Sequence, residues 1–236
     1  MKGWNWDGFW GYFVNPYLLQ GALVTIALTI VALVLGLVVG LLLALMRMSP
    51  YRGLSLPAQG YIWIFRGTPL LVQLVIIYTG LPQIDDRLRL DVTQSAILGL
   101  VLNESAYLSE IIRAGISSVA KGQREAALSL GLSRWRTFRL VVWPQAMRII
   151  VPPLGNSVNG LLKATSIVSV ISMEELMRRG QILMQERFQV LEIFVVVAIL
   201  YLGMTTVWEF VQRRIEAHYG RGYGETKVRT PARDDR

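Results

Sequence analysis

The chain is written as long apolar runs separated by short, charged, turn-rich stretches. No charge falls between Asp7 and Arg47, and the run from Leu18 to Met46 exceeds the roughly 20 apolar residues that cross a bilayer core. A second run, Tyr61 to Leu81, follows the turn-rich loop RMSPYRGLSLPAQG. Arg66 stands about a turn inside it, long enough to snorkel to the interface, and Gly67-Thr68-Pro69 breaks the helix early. Val92 to Ile112 forms a poorer third run, interrupted by Asn103, Glu104 and Glu110. A fourth is placed at Ile149 to Val170, with Lys163 inside it and Pro152-Pro153 favouring a break. The fifth is Leu191 to Val211. The polar stretches 82–91 and 172–189 read as loops, and the end of the tail reads as disordered.

These runs predict an all-α integral membrane protein of about five transmembrane helices. Residues 1–17 carry Trp4, Trp6, Phe9, Trp10, Tyr12, Phe13 and Tyr17, side chains suited to a membrane–water interface. Residues 18–214 form the membrane domain and 215–236 a polar tail. Gly36 and Gly40 give a GxxxG face for close helix packing, expected within the chain rather than between copies.

Composition agrees. Of 236 residues, 53% are hydrophobic and only 17% charged, where soluble domains average nearer a quarter. The net charge of +8 would suit nucleic acid, but its distribution points elsewhere. With five spans, 16 basic residues fall on one side (47–53, 113–148 and the tail) and six on the other. The basic side is cytoplasmic by the positive-inside rule, so the N-terminus lies outside and the C-terminus inside.

Between spans three and four lies Lys121 to Pro144, KGQREAALSLGLSRWRTFRLVVWP. Gln123 to Leu130 is built of strong helix formers, Gly131 stands where a helix stop needs positive φ, and Ser133 is an N-cap for the next helix. Two short helices hinged at a glycine make a cytoplasmic knob, and a knob implies something to dock into.

No catalytic constellation accompanies it. There is no GxxxxGK[ST] phosphate loop, no HxxH or HExxH metal pattern and no cysteine, and the single histidine, His218, lies in the tail. The chain is not expected to be an enzyme, and if it drives uphill transport the energy must come from elsewhere. The charges at membrane depth, Glu104, Glu110 and Lys163, cost roughly 2.5–3.5 kcal/mol each and therefore face a cavity or a partner. Glu104 suits a cationic ligand group and Lys163 an anionic one, with Asn103, Tyr107, Asn156 and Ser166 nearby and Thr68 and Gln73 contributing from span two. Alternatively, Glu104 and Lys163 pair with each other, or with Arg113 and Arg148, and only hold the helices together. Glu110 and Arg113, at i,i+3 spacing, read as structural.

Glu125-Ala126-Ala127, three residues, Gly131, nine residues and Val141-Val142-Trp143-Pro144 resemble the EAA loop of ABC importer permeases, with Val141 and Trp143 in place of that pattern's Ile and Leu. FRGTPLLVQL, AYLSEIIRAGI, PQAMRIIVPPLGN and LLKATS extend the resemblance, over about Gln20 to Arg214, to the permeases for polar amino acids. It implies the type I importer fold, with Glu125, Ala126, Ala127 and Gly131 coupling to a separate ATPase. It also implies a dimer of such ATPases binding ATP and Mg, a second copy of this permease or a homologous one, and an external substrate-binding protein. No cofactor is implied for this chain, and its place is the bacterial inner membrane. Ala164 departs from a position where relatives often carry a polar residue. The competing readings are a gradient-driven secondary transporter or channel, and a membrane anchor that transports nothing.

Overall fold

The structure, a computed structural model, describes residues 4–220, and these are almost wholly helical. The order is α1 (Trp6–Phe13), α2 (Pro16–Met48), α3 (Arg52–Gly67), α4 (Leu70–Ile84) and α5 (Val92–Ser117). There follow α6 (Lys121–Ser129), α7 (134–164), a 3-10 segment (Thr165–Ile171), α8 (Leu176–Arg187) and α9 (Val190–Gly220).

Local chemistry sets many of the boundaries. Asn15 caps α2 by accepting from the Tyr17 amide at 2.9 Å, with Pro16 at the first helical position. Asp91 and Gln94 form a reciprocal capping box at the start of α5. Among the described residues, α2, α5 and Val190–Tyr219 are long and apolar enough to cross a membrane; α3 and α4, bent by 106°, together make a fourth candidate.

Burial explains why the third apolar run is the poorest. Within its most apolar stretch α5 is 61% buried, against 33% for α2 and 22% for α9. It is the central post of the bundle, so protein rather than lipid surrounds it and polar residues are tolerated there. α2 lies along α5 at close range. A Cβ built on Gly40 would sit 3.0 Å from the Leu108 Cβ and 3.1 Å from the Ser105 carbonyl oxygen; on Gly36 it would sit 3.3 Å from Leu108 Cδ1. The GxxxG face is therefore used inside the chain.

Three buried clusters lie along the bundle. Phe9, Leu18, Leu176 and Ile193 pack at the N-terminal end, Leu28, Leu74, Leu100 and Val168 in the middle, and Ala44, Ile116, Val142 and Ile150 beside α6. α9 starts next to α1, where Glu192 accepts from the Asn5 amide at 3.0 Å, and runs toward the α6 end.

Several expectations need correction. The supposed loop before span two is mostly α3, with Pro57 inside it. Proline there removes only the bond to the Gly53 carbonyl, and Gly53 is exposed, so solvent or headgroups satisfy that oxygen. Pro152 and Pro153 do not break α7, which continues to Ala164. Both rings face outward while Val151, Gly155 and Val158 are buried on the packed face, and packed neighbours hold a proline-containing helix on course. The stretch 172–189 contains α8 rather than only loop. α9 extends through residues 215–220, the start of the polar tail, and the remainder of the tail lies outside the described residues.

Candidate functional site

Two sets of side chains were singled out, one on α6 and one within the membrane runs. On α6 the local signals hold almost to the residue. Gly131 has φ +81°, the left-handed stop its position requires, and the Leu132 amide donates back to the Ala127 carbonyl at 3.2 Å. Ser133 then accepts from the Arg136 amide at 3.3 Å and opens α7. The second helix is not a separate short one: it passes through a π turn (Phe138–Val142) directly into the long helix. The knob is thus mechanically continuous with a bundle helix, with one free hinge at Gly131.

The pair Ala126-Ala127 divides its roles. Ala127 is buried, whereas Ala126 and Glu125 face outward with Leu130, which is 84% exposed. Lys121 Nζ lies 3.2 Å from Glu125 Oε1, an exposed i,i+4 pair of little energetic weight. Arg124 turns inward and donates to the Ile116 carbonyl, tying α6 to the end of α5.

Within the bundle the residues divide by partner. Thr68, Gln73 and Asn103 form one network around the α3–α4 bend. Gln73 Nε2 donates to the Phe65 carbonyl (3.0 Å), the Thr68 carbonyl (3.1 Å) and Thr68 Oγ1 (2.9 Å). Asn103 Nδ2 donates to the Phe65 carbonyl and to Gln73 Oε1, each at 3.1 Å. A bend at this depth exposes the last carbonyls of α3, and these amides satisfy them. Their polar character is explained by the bend itself.

Glu104 is buried at 8% exposure and accepts from the Ser157 hydroxyl on α7. Among the described residues no cation lies within 4 Å of it. Lys163 is exposed and likewise has no carboxylate within that distance, so the two do not pair. Lys163 and Ser166 line a cavity of about 290 Å³ against Tyr201 and Phe194 of α9. Lys163 stands six residues beyond Ser157, about 9 Å along α7. Asn156 is reached by Gln212 Nε2 at 3.5 Å, and the half-exposed Tyr107 ring lies 5.3 Å below the Arg66 guanidinium.

Glu110 differs from Glu104 in every respect. It pairs with Arg47 of α2, with Arg113 at 3.1 Å and with Arg66 of α3 at 3.9 Å. It clamps three helices together at the α6 end, the structural role its spacing to Arg113 suggested.

Sequence reasoning missed Glu175, which is fully buried. It caps α8 by accepting from the Met177 amide (2.9 Å) and the Arg178 amide (2.8 Å), and also accepts from Tyr201 Oη (2.8 Å) and Thr25 Oγ1 (3.3 Å). Glutamate is not among the favoured N-caps, so no local signal marked it. Among the described residues no group of three or more His, Cys, Asp and Glu is arranged to hold a metal.

Residues 36–221 match the family described as binding-protein-dependent transport system inner membrane component. The glutamine transport system permease protein of Escherichia coli strain K12 is 40% identical over 212 residues, covering 90% of this chain and 96% of that one. The arginine transport system permease protein of Corynebacterium glutamicum is 38% identical over 237 residues, covering 95% of this chain and 75% of that protein. Among solved structures, an amino acid ABC transporter with histidines superposes with a TM-score of 0.85 at 37% identity, over 92% of this chain and all of that one.

Proposed function

The chain belongs to the family of binding-protein-dependent transport system inner membrane components, and from that premise we propose that it is the permease subunit of an ATP-driven importer for polar amino acids. It crosses a bacterial inner membrane five times, counting the bent pair α3–α4 and the less apolar α7, with residues 1–17 outside and the tail beyond 215 inside. α6 sits in a groove of an ATPase partner. A dimer of that ATPase binds and hydrolyses ATP with Mg, while a second copy of this chain or a homologous permease completes the pathway. An external binding protein delivers substrate near 82–91 and α8.

The observation that carries this reading is α6 itself. It is an exposed helix with Glu125, Ala126 and Leu130 outward, ended by a left-handed Gly131 and joined by the turn 130–133 to α7, which carries Lys163. Movement of the knob is therefore passed across one short turn to a helix that reaches membrane depth. Two bare charges support the substrate class. The buried Glu104 lacks a cation and Lys163 lacks a carboxylate, which suits the ammonium and carboxylate of an amino acid. Thr68, Gln73 and Asn103 act one step back, by holding the bend beside Glu104.

The test is gentle detergent purification from the native membrane, with crosslinking through 121–144 and mass spectrometry of what accompanies the chain. An ATPase crosslinked to α6 is the expected result. Its absence under crosslinking contradicts the reading. Recovery of a second permease in equal amount assigns a heterodimer, and its absence a homodimer.

A further inference from the structure

A cavity of about 410 Å³ opens on the inner side of α6, facing away from Glu125 and Ala126. Its volume lies within the roughly 300–1,000 Å³ of ligand pockets. Its walls come from four places: the last turn of α2 (Leu45, Met48), the end of α5 (Ile116), α6 (Arg124, Leu128) and the start of α7.

Arg124 gives one guanidinium N–H to the Ile116 carbonyl, and other polar atoms of the lining have no partner. Thr137 is 5% exposed, and its Oγ1 is buried without a hydrogen-bond partner; Arg124 Nε is in the same condition. Arg134, which also lines the cavity, has no carboxylate within 4 Å among the described residues, nor has Arg124. Two guanidiniums on the lining of one pocket ask for an anionic oxygen group. The other wall, Leu45, Met48, Phe138 and Val142, asks for hydrocarbon.

Depth joins the two demands. α2 runs for 33 residues, about 50 Å, against a hydrocarbon core of about 30 Å. Met48 closes it and so lies at headgroup level. Nearby on α7, Leu140 and Trp143 stay exposed, as apolar and aromatic side chains do at a membrane interface. We propose that this cavity holds an anionic phospholipid of the leaflet at the α6 end, with its phosphate on the Arg124 and Arg134 guanidiniums and an acyl chain along Leu45, Met48 and Phe138. The lipid wedges between α6 and the bundle and sets how firmly the knob is held. The inference rests on the membrane orientation proposed above.

The test uses the full chain, alone and with its ATPase, delipidated in detergent and titrated with phosphatidylglycerol or phosphatidylcholine while bound lipid is counted by native mass spectrometry. A single phosphatidylglycerol is expected to outlast phosphatidylcholine. Arg124→Gln and Arg134→Gln are each expected to weaken it about fivefold; Arg134 is exposed, so its variant leaves folding undisturbed. Equal retention of both lipids, or unchanged retention in both variants, overturns the proposal. So does lipid that binds the lone chain but is excluded by the ATPase, which would give the cavity to an acidic ATPase side chain. Retention of the ATPase is read in the same spectra and reports separately on the coupling assignment.

Discussion

Glu104 and Glu110 are carboxylates six residues apart on one helix, about 9 Å along its axis, and they do opposite things. Glu110 is saturated: Arg47, Arg66 and Arg113 surround it and lock α2, α3 and α5 at one end. Glu104 is buried with one neutral partner, Ser157, and no cation. A buried carboxylate with a full set of cations belongs to the architecture. One left without a cation and with a single neutral hydrogen bond, unlike Glu175 with its four donors, is costly by itself and is retained where something else supplies the charge. Residue type does not separate them; the packing of neighbouring helices does.

Breaking the saturated side should have the larger effect. Glu110→Ala leaves three arginines facing one another at a partly buried site and is expected to cost about 3 kcal/mol, read as a lower thermal midpoint in detergent and poor yield. An unchanged midpoint would remove Glu110 from the architecture. On the open side, Glu104→Gln keeps the bond from Ser157 and the fold, yet is expected to lower substrate affinity about tenfold or more, a loss of ~1.4 kcal/mol. Unaltered uptake in both Glu104→Gln and Lys163→Met would show that these charges are not on the pathway.

Smaller effects sharpen the frame around the two. Gly40→Ala brings a methyl against Leu108 and the Ser105 backbone and should cost about 1–2 kcal/mol. Gly36→Ala, with more room, should cost less, and comparing the two midpoints tests the α2–α5 contact that flanks Glu104. Gly131→Val forces a β-branched residue into left-handed backbone, a local strain of about 1–2 kcal/mol. Membrane insertion should survive, and ATPase docking should weaken. Undiminished docking and stimulation of the ATPase in Gly131→Val would separate the hinge from coupling.

What the sequence made legible follows the same division. Features set by neighbours in the chain were readable: the apolar runs, the stop at Gly131, the cap at Ser133, and Glu110 with Arg113. The GxxxG face was readable because only a close approach uses it. Features set by distant contacts were not. Pro57, Pro152 and Pro153 suggest breaks locally, but their helices continue because exposure or packing satisfies what proline removes. Glu175 sits in a polar stretch, and only its contacts with Thr25 and Tyr201 reveal it as buried. Thr68, Gln73 and Asn103, read among the pathway residues, meet one another through hydrogen bonds around the α3–α4 bend, which only the folded chain reveals.

The central claim is that this chain moves its substrate with energy taken from an ATPase through α6. The direct measurement is uptake of labelled amino acid into liposomes holding the chain with its ATPase and binding protein, with ATP enclosed and a protonophore added. The proposal predicts uptake that needs enclosed ATP, survives collapse of the proton gradient and falls in Gly131→Val. Uptake that persists without ATP and stops with the protonophore would contradict it and make the chain a gradient-driven transporter.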